Sequence, residues 1–322
     1  MQASNPFPSA PPLSTLPLDL LRCPISGEPL RLDKGMLVSS SGAQTYRITP
    51  SGIPLFAEQF CSPEARAQQR HYDRVSVAYM ENLNYPHTIE YMRYLDRALL
   101  RATGEVPLGT VVEICCGRGE VFGLLGHRID RGIGIDVSLS MLEEARKQHA
   151  GARYAFVQGE ATRLPLCDES TDTAVMLGGI HHVNDRFRLF SEIRRILKPG
   201  GRFVFREPVS DLALWRWLRA VIYRLSPSLD HGTERPLRYR DTVPVLHRAG
   251  LRPRDWRTYG FLGFCLFMNS DVLVFNRIFR FVPFIGGIAR LAARLDDLML
   301  RPSFLSRIGL QVVGVAEKPR AL

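Results

Sequence analysis

An α/β domain wound around a parallel sheet is the fold class predicted by this 322-residue chain. Three observations predict it. From residue 110 onward, short apolar runs suited to strands alternate with helical patterns, recurring at intervals of roughly 20 residues. Two glycines, Gly117 and Gly119, fall where the first of these strands hands over to a helix. A carboxylate, Asp136, closes the second strand, at the edge where open α/β sheets bind ligands.

Along the chain, residues 1–17 have prolines among their apolar positions and no basic start, which predicts a flexible tail and not a signal peptide or anchor. Residues 18–61 hold short extended pieces punctuated by Gly and Pro ("GEPLRL", "GMLVSS", "TYRITPSGIPLF") and predict a small β-rich module. A polar helical stretch begins near Ser62 and leads through "HYDRVSVAYMENL" to "HTIEYMRYLDRALLRA". Strands are then expected at 110–115, 132–136, 154–158, 173–178 and 202–207, with helices at 119–127, 139–149 and 184–197. Ser140, followed three residues later by Glu143, predicts a capping box at the start of the 139–149 helix. "KPGGR" at 198–202 ends a helix and turns sharply into a strand, "RDWRTYG" is a sixth-strand candidate, and "LQVVGVAEK" at 310–318 closes the chain. Helical additions at 209–250 and 261–308 flank the sixth strand, the second of them an insertion before the last strand.

The net charge of +10 is carried by arginine, since lysine occurs only at 34, 147, 198 and 318. Sixteen arginines and eight acidic residues lie in 209–308, so most of the excess sits in the additions. Six cysteines, at 23, 61, 115, 116, 167 and 265, include no C-x-x-C pair and follow no secretory signal. Reduced thiols and a cytoplasmic location are expected. No apolar run reaches the length of about 18 residues that a membrane span requires.

The stretch "VVEICCGRGE" at 111–120 admits three readings: a metal site, a redox pair or a ligand loop. Adjacent residues on a strand point to opposite faces, so Cys115 and Cys116 are poor partners for one metal, and no metal site is expected. Glycine at 117 and 119 instead lets backbone approach a ligand closely. A dinucleotide loop would read G-x-G-x-x-G, but here the third glycine, Gly123, comes one place late. Glu113 precedes the turn, where a positively charged ligand would be favoured. Asp136 can accept both hydroxyls of a ribose. "GEATRLPL" follows the third strand and places Glu160 and Ala161 beside an adenine.

These pieces, with "GIGIDVSLSMLEEAR", "FVQGEATRLPLCDESTDTAV", "GGIHHVND" and "EIRRILKPGGRFVFREP", resemble class I S-adenosylmethionine-dependent methyltransferases. The resemblance runs from about 72 to 208 and is to the group that includes the ubiquinone/menaquinone C-methyltransferases. It implies a Rossmann-like, mostly parallel seven-stranded sheet over 62–322, with S-adenosylmethionine as cofactor across its carboxyl edge. By the same resemblance, Gly117 backs the methionine portion, Gly119 belongs to the same cofactor-binding loop, and Glu113 lies near the donor's amino group. Asp136 holds the ribose, Val137 and Ala161 flank the adenine, and Glu160 lies near its amino group. Leu177 supports the donor from the fourth strand, and Tyr72 covers it. One departure is Cys115, where the family has glycine and where a side chain crowds the loop.

The module at 18–61 resembles the small zinc-ribbon domain of the tRNA-methyltransferase activator family, keeping Cys23, Tyr46 and Gly52-Ile53-Pro54. Ser26, Ser39 and Gly42 stand where that family has its other three ligands. One cysteine cannot make a tetrahedral zinc site, so the shape is expected without the metal.

Methyl transfer from a sulfonium is an in-line displacement in which alignment does most of the work, and a base is needed only when the nucleophile must lose a proton. His181, His182, Glu207 and His231 are the catalytic candidates, each alternatively a pocket-shaping or turn residue. In the additions, "LALWRWLRAVIYRLS" spaces Leu214, Leu218 and Val221 or Ile222 at helical intervals, with Arg216, Arg219 and Arg224 beside them. Further on, Asn276, Arg277 and Arg280 share a helical face amid Phe275, Ile278, Phe279 and Val282. Such a segment suits a lid over an apolar pocket, a peripheral membrane contact through 261–295, a homodimer contact or plain core. The sequence favours O- or C-methylation of a hydrophobic small molecule or lipid-like metabolite. An RNA methyltransferase is the rival, favoured by the net charge and disfavoured by the aliphatic residues interleaved with the arginines. A non-catalytic donor-binding scaffold is the third reading.

Overall fold

The computed structural model describes residues 16–70, 73, 83–149, 151, 153–225, 235–268 and 274–320. Tyr72 and His231 lie outside the described residues, as does most of the 1–17 segment. Three short strands, β1 Leu30–Asp33, β2 Met36–Ser39 and β3 Thr45–Tyr46, form an antiparallel sheet near the N-terminus. The central sheet has seven: β4 Gly109–Ile114, β5 Ile129–Asp136, β6 Tyr154–Gln158, β7 Thr171–Leu177, β8 Leu197–Pro208, β9 Arg252–Tyr259 and β10 Gln311–Glu317. Their order is β6-β5-β4-β7-β8-β10-β9. β4 through β8 pair in parallel, while β10 runs antiparallel between β8 and β9. The order reverses between β4 and β7, so the loops after these two strands face one crevice.

Helices cover both faces, which is why central strands such as β4 are buried at consecutive positions, Val111 to Ile114. One face packs mainly against α2 Pro86–Thr103, α3 Glu120–Leu125 and α4 Leu139–Gln148, and against α8 Leu262–Phe267 and α9 Ile285–Met299. The other packs against α5 Arg186–Ile196, α7 Tyr239–Arg248 and much of the N-terminal module. A further helix, α1, covers 63–70, and α6 spans Ala213–Leu225.

The N-terminal module is not a separate bead. Leu20, Leu21, Cys23, Leu37, Tyr46 and Phe56 belong to the same core cluster as Val112, Ile133 and Val157 of the central sheet. Leu55 pairs in parallel with Gln158 of β6, whose backbone N–H donates to the Pro54 carbonyl at 2.9 Å, so the module closes an otherwise open sheet edge. The Asp19 carboxylate accepts two 2.8 Å hydrogen bonds from Arg131. Within the module, the Cys23 sulfur lies 3.0 Å from the Tyr46 hydroxyl, and Glu28 accepts from the Ser41 hydroxyl at 2.7 Å.

Three helical segments differ from the sequence expectation. The cap of α4 is Ser138, whose hydroxyl accepts from the Met141 N–H, and not the Ser140–Glu143 box. Asp136 fixes this by accepting the Ser138 N–H at 2.9 Å, which starts the helix directly after the strand. Ser140 then sits inside the helix and donates to Asp73 at 2.8 Å, while Glu143 accepts from Ser51 at 2.6 Å. On α6, Leu214 is exposed and Trp215 is the anchor, buried with its indole N–H donating to the Ile308 carbonyl at 2.8 Å. Residues 274–281 form a 3-10 helix, so Arg277 and Arg280 fall at its three-residue period, while the side chain of Asn276 lies outside the described residues.

Asp296 of α9 is buried and caps α8. Its carboxylate accepts from the backbone N–H groups of Phe261 at 2.9 Å, Gly263 at 3.0 Å and Phe264 at 2.8 Å. It thereby satisfies donors that a short helix cannot satisfy internally. Replacing Asp296 with Ala leaves these buried donors unpaired, and a loss of about 3 kcal/mol is expected in denaturant unfolding. Accelerated amide exchange confined to 261–268 would accompany it.

Candidate active site

A cavity of about 500 Å³ opens where β4, β5 and β7 end, within the size range of small-molecule sites. Its floor is the turn after β4. Cys115, Gly117 and Gly119 all have left-handed backbone, with φ of 53°, 49° and 77°. A Cβ at Gly117, or at Gly178 after β7 with φ 73°, would meet no atom of the described residues within 4 Å and would stand in the opening itself. The space these glycines leave is therefore available to a ligand. Gly119 is not part of the lining: a Cβ there would come within 3.0 Å of Phe122 and His149, so its role is helix packing. Cys115 is the residue whose left-handed conformation carries a steric cost, of order 1–2 kcal/mol. Burial raises both the Cys115 and the Cys116 thiol well above the ordinary range, so neither behaves as a thiolate.

Two carboxylates face this floor. Glu113 is almost completely buried; its Oε1 accepts from the Val121 N–H at 3.3 Å, and its Oε2 has no hydrogen-bond partner among the described residues. Burial first, and the nearby Glu120 carboxylate second, push its pKa well above the usual range. A buried acceptor with nothing to accept fits a ligand that brings a positive charge or an N–H. Asp136 closes β5 and accepts from the Gly117 N–H at 2.9 Å through Oδ2, and from Ser138 through Oδ1. Burial raises its pKa, opposed by these backbone hydrogen bonds. The turn after β4 and the end of β5 are thus tied by one carboxylate.

Val137, Glu160, Ala161 and Leu177 also line the cavity. Glu160 has its oxygens engaged by the Thr162 hydroxyl and by the Ser62 N–H at 2.6 Å, which ties α1 to the cavity rim. His181 and His182 line the same cavity, with ring centroids 3.9 Å apart. Glu207 does not line the cavity. It is fully buried, and its Oε1 accepts from the Gly179 and Ile180 N–H groups at 2.7 and 2.8 Å. Its Oε2 lies 2.8 Å from His181 Nδ1. A carboxylate on Nδ1 favours the tautomer with the proton there, leaving the Nε2 lone pair as acceptor.

Arg206 is a cavity residue that no sequence motif marks. Its buried guanidinium lines the cavity and pairs with Asp96 of α2 at 2.9 Å and with Glu120 at 3.1 Å. The available signal was strand alternation in "FREP", which sends Arg206 and Glu207 to opposite faces.

Residues 112–205 match the family described as methyltransferase domain. That segment is a class I methyltransferase domain. It is of the S-adenosylmethionine-dependent kind, and the open turn and orphan carboxylate oxygen fit that cofactor. The 2-phytyl-1,4-naphtoquinone methyltransferase of Trichormus variabilis is 32% identical over 139 residues, covering 41% of this chain and 60% of its own. The ubiquinone/menaquinone biosynthesis C-methyltransferase of Syntrophotalea carbinolica is 29% identical over 171 residues, covering 50% of this chain and 72% of its own. The chain spans about half to three-fifths of the length of the first curated relatives it matches. Among solved structures, a chain from the complex of the Haloferax volcanii Trm112 methyltransferase activator with a methyltransferase has a TM-score of 0.51 at 21% identity, covering 78% of this chain and 98% of that one. This likeness concerns the fold.

The raised pKa of Glu113 has a signed consequence. Between 4.5 and its higher folded value the unfolded chain has released this proton and the folded chain has not. Stability of the ligand-free protein therefore falls as pH rises through that window. Glu113→Gln is expected to remove this slope in denaturant titrations at several pH values. It should also weaken S-adenosylmethionine binding by about tenfold, as measured by calorimetry, because the ionised partner of a cation is lost.

Proposed function

We propose that this protein transfers the methyl group of S-adenosylmethionine to oxygen or carbon of a hydrophobic small molecule or lipid-like metabolite. The observation that carries this reading is a cavity whose floor suits a cationic donor and whose lining also presents an oriented histidine. The bound donor supplies an electrophilic methyl group on a sulfonium. Around it, the chain's residues divide the work. Glu113, with its unpartnered oxygen, receives the donor's ammonium group, and Arg206, five N–H groups on a buried guanidinium, suits the carboxylate of the same zwitterion. Asp136 holds the ribose from the end of β5, Val137, Glu160 and Ala161 border the adenine, and Leu177 closes the side next to β7.

His181 acts as the base for an acceptor hydroxyl or an acidic carbon, taking the proton on Nε2, with Glu207 as its positioning residue. His182 shapes the wall beside it. Phe264 and Met268 bring apolar surface to the same cavity from α8, which favours an apolar acceptor. The quinone substrates named for the relatives belong to that chemical class. We read 62–322 as the methyltransferase domain. In 18–61 we read a zinc-ribbon-like shape in which Cys23–Tyr46 and Glu28–Ser41 contacts stand in place of the metal.

Incubation of the purified protein and methyl-labelled donor with a lysate of its host, followed by partition, tests the acceptor class. Label in the organic phase is the expected result; label in RNA would assign the arginines to phosphate and overturn the reading. Glu207→Gln tests the base. Its carbonyl can still accept from Gly179 and Ile180, but its amide donates to His181 Nδ1 and moves the imidazole proton to Nε2. A fall in kcat of about a hundredfold is expected, with donor affinity unchanged.

A further inference from the structure

The described residues leave one large apolar surface uncovered, on the outer side of α9 and the 3-10 helix before it. Ile288, Leu291, Leu295 and Leu298 recur on α9 at intervals of three and four residues, and all are exposed. The inner side of the same helix is separately satisfied: Ala289, Ala293 and Asp296 are buried against α2 and α8. The outer stripe is continued by Ile278, 66% exposed, and Phe281, 73% exposed.

Phe284, at the start of α9, is 90% exposed and has left-handed backbone, with φ 57° and ψ 20°. A large aromatic side chain in a conformation that favours glycine, with no core contact to compensate, is costly on both counts. The cost makes sense when the exposed ring is itself what the segment presents.

Charge identifies the occupant. Arg277, Arg280, Arg294 and Arg301 are exposed around this stripe. Of the two acids in 274–308, Asp296 is buried and committed to backbone, and Asp297 is only partly exposed, 3.9 Å from Arg301. A two-fold contact between copies would set these arginines against one another, because an isologous interface matches a patch to itself. Apolar side chains rimmed by arginine are complementary to a bilayer surface that offers acyl chains and anionic headgroups. No described helix is long and apolar enough to cross a membrane, so the contact is peripheral.

We infer that α9 and residues 277–284 dock this protein onto an anionic membrane surface, with Phe284 and the outer leucines inserted and the flanking arginines on headgroup phosphates. The surface adjoins the cavity, since α8, which supplies Phe264 to the lining, packs on α9, and Phe267 of α8 touches Phe279 at 5.2 Å between ring centroids. Docking there lets a lipophilic acceptor reach the site from the bilayer. That purpose rests on the proposed acceptor class, whereas the docking does not, and vesicle binding needs neither donor nor acceptor.

The experiment is flotation of the full chain with phosphatidylcholine vesicles, with and without phosphatidylglycerol, at low and high salt. Binding is expected only with the anionic lipid and should weaken as salt rises. Arg277→Gln and Arg294→Gln should each lower it by about fivefold. Phe284→Gly, which suits the left-handed backbone, should leave thermal stability and donor binding intact while reducing binding to a comparable degree. Absence of binding to either vesicle overturns the inference, as does equal binding to both lipids without salt dependence. A concentration-dependent dimer in sedimentation that Phe284→Gly abolishes also overturns it, in favour of a self-contact. Failure of methyl transfer with vesicle binding intact would count against the proposed acceptor and leave the docking surface standing.

Discussion

The backbone turn between Ile114 and Glu120 is the constraint on which the site depends. Three residues in five adopt left-handed backbone, and one of them is a cysteine. That path brings the Gly117 N–H onto Asp136, sets Glu113 behind the turn beside Val121, and starts α3. Cys115 sits close against the loop after β7: a Cβ on Gly179 would come within 2.8 Å of its own. The two loops that bound the cavity are therefore packed on each other, and Glu207 holds the second by its backbone N–H groups. A change in either loop is felt by the other.

Electrostatics in the site are balanced and not simply acidic. Glu113, Asp136 and Glu120 line the cavity, and burial, reinforced by neighbouring carboxylates, penalises ionisation of Glu113 and Asp136. Arg206 sits among them with two carboxylate partners. It offsets part of the repulsion between acids while remaining in the cavity wall. Breaking such a buried pair by removing one partner is costlier than the pair is worth in net stability.

Much of this was legible in the sequence for a physical reason. A ligand loop in an open α/β sheet must follow a strand, must use glycine and must have its acids at strand ends, so Gly117, Asp136 and Glu113 announce themselves locally. Glu207 was found as an acid after the fifth large-sheet strand, but its hydrogen bonds reach back to residues 179–181, which no local pattern reveals. Asp296 is a sharper case. In "RLDDLML" it resembles any solvent-facing helix acid, and its role exists only because α8 packs end-on against it. The Ser140–Glu143 box was locally sound and displaced by a strand-end contact, an instance of tertiary geometry overriding a local signature. Arg206 was hidden because its partners come from α2 and α3, far away in sequence.

The edge pairing of Leu55 with Gln158 has a consequence for the order in which the chain can assemble. Residues 16–57 are synthesised before their partners: the backbone they cover on β6, and the Leu166 and Arg131 that anchor them, emerge from the ribosome later. At ordinary elongation rates the interval is on the order of ten seconds. During that time Leu20, Leu21, Leu37 and Phe56 lack the sheet they are buried against. The module is thus a waiting client of the translating cell, and its short, Gly- and Pro-punctuated strands suit a segment that must stay unaggregated until its partner arrives.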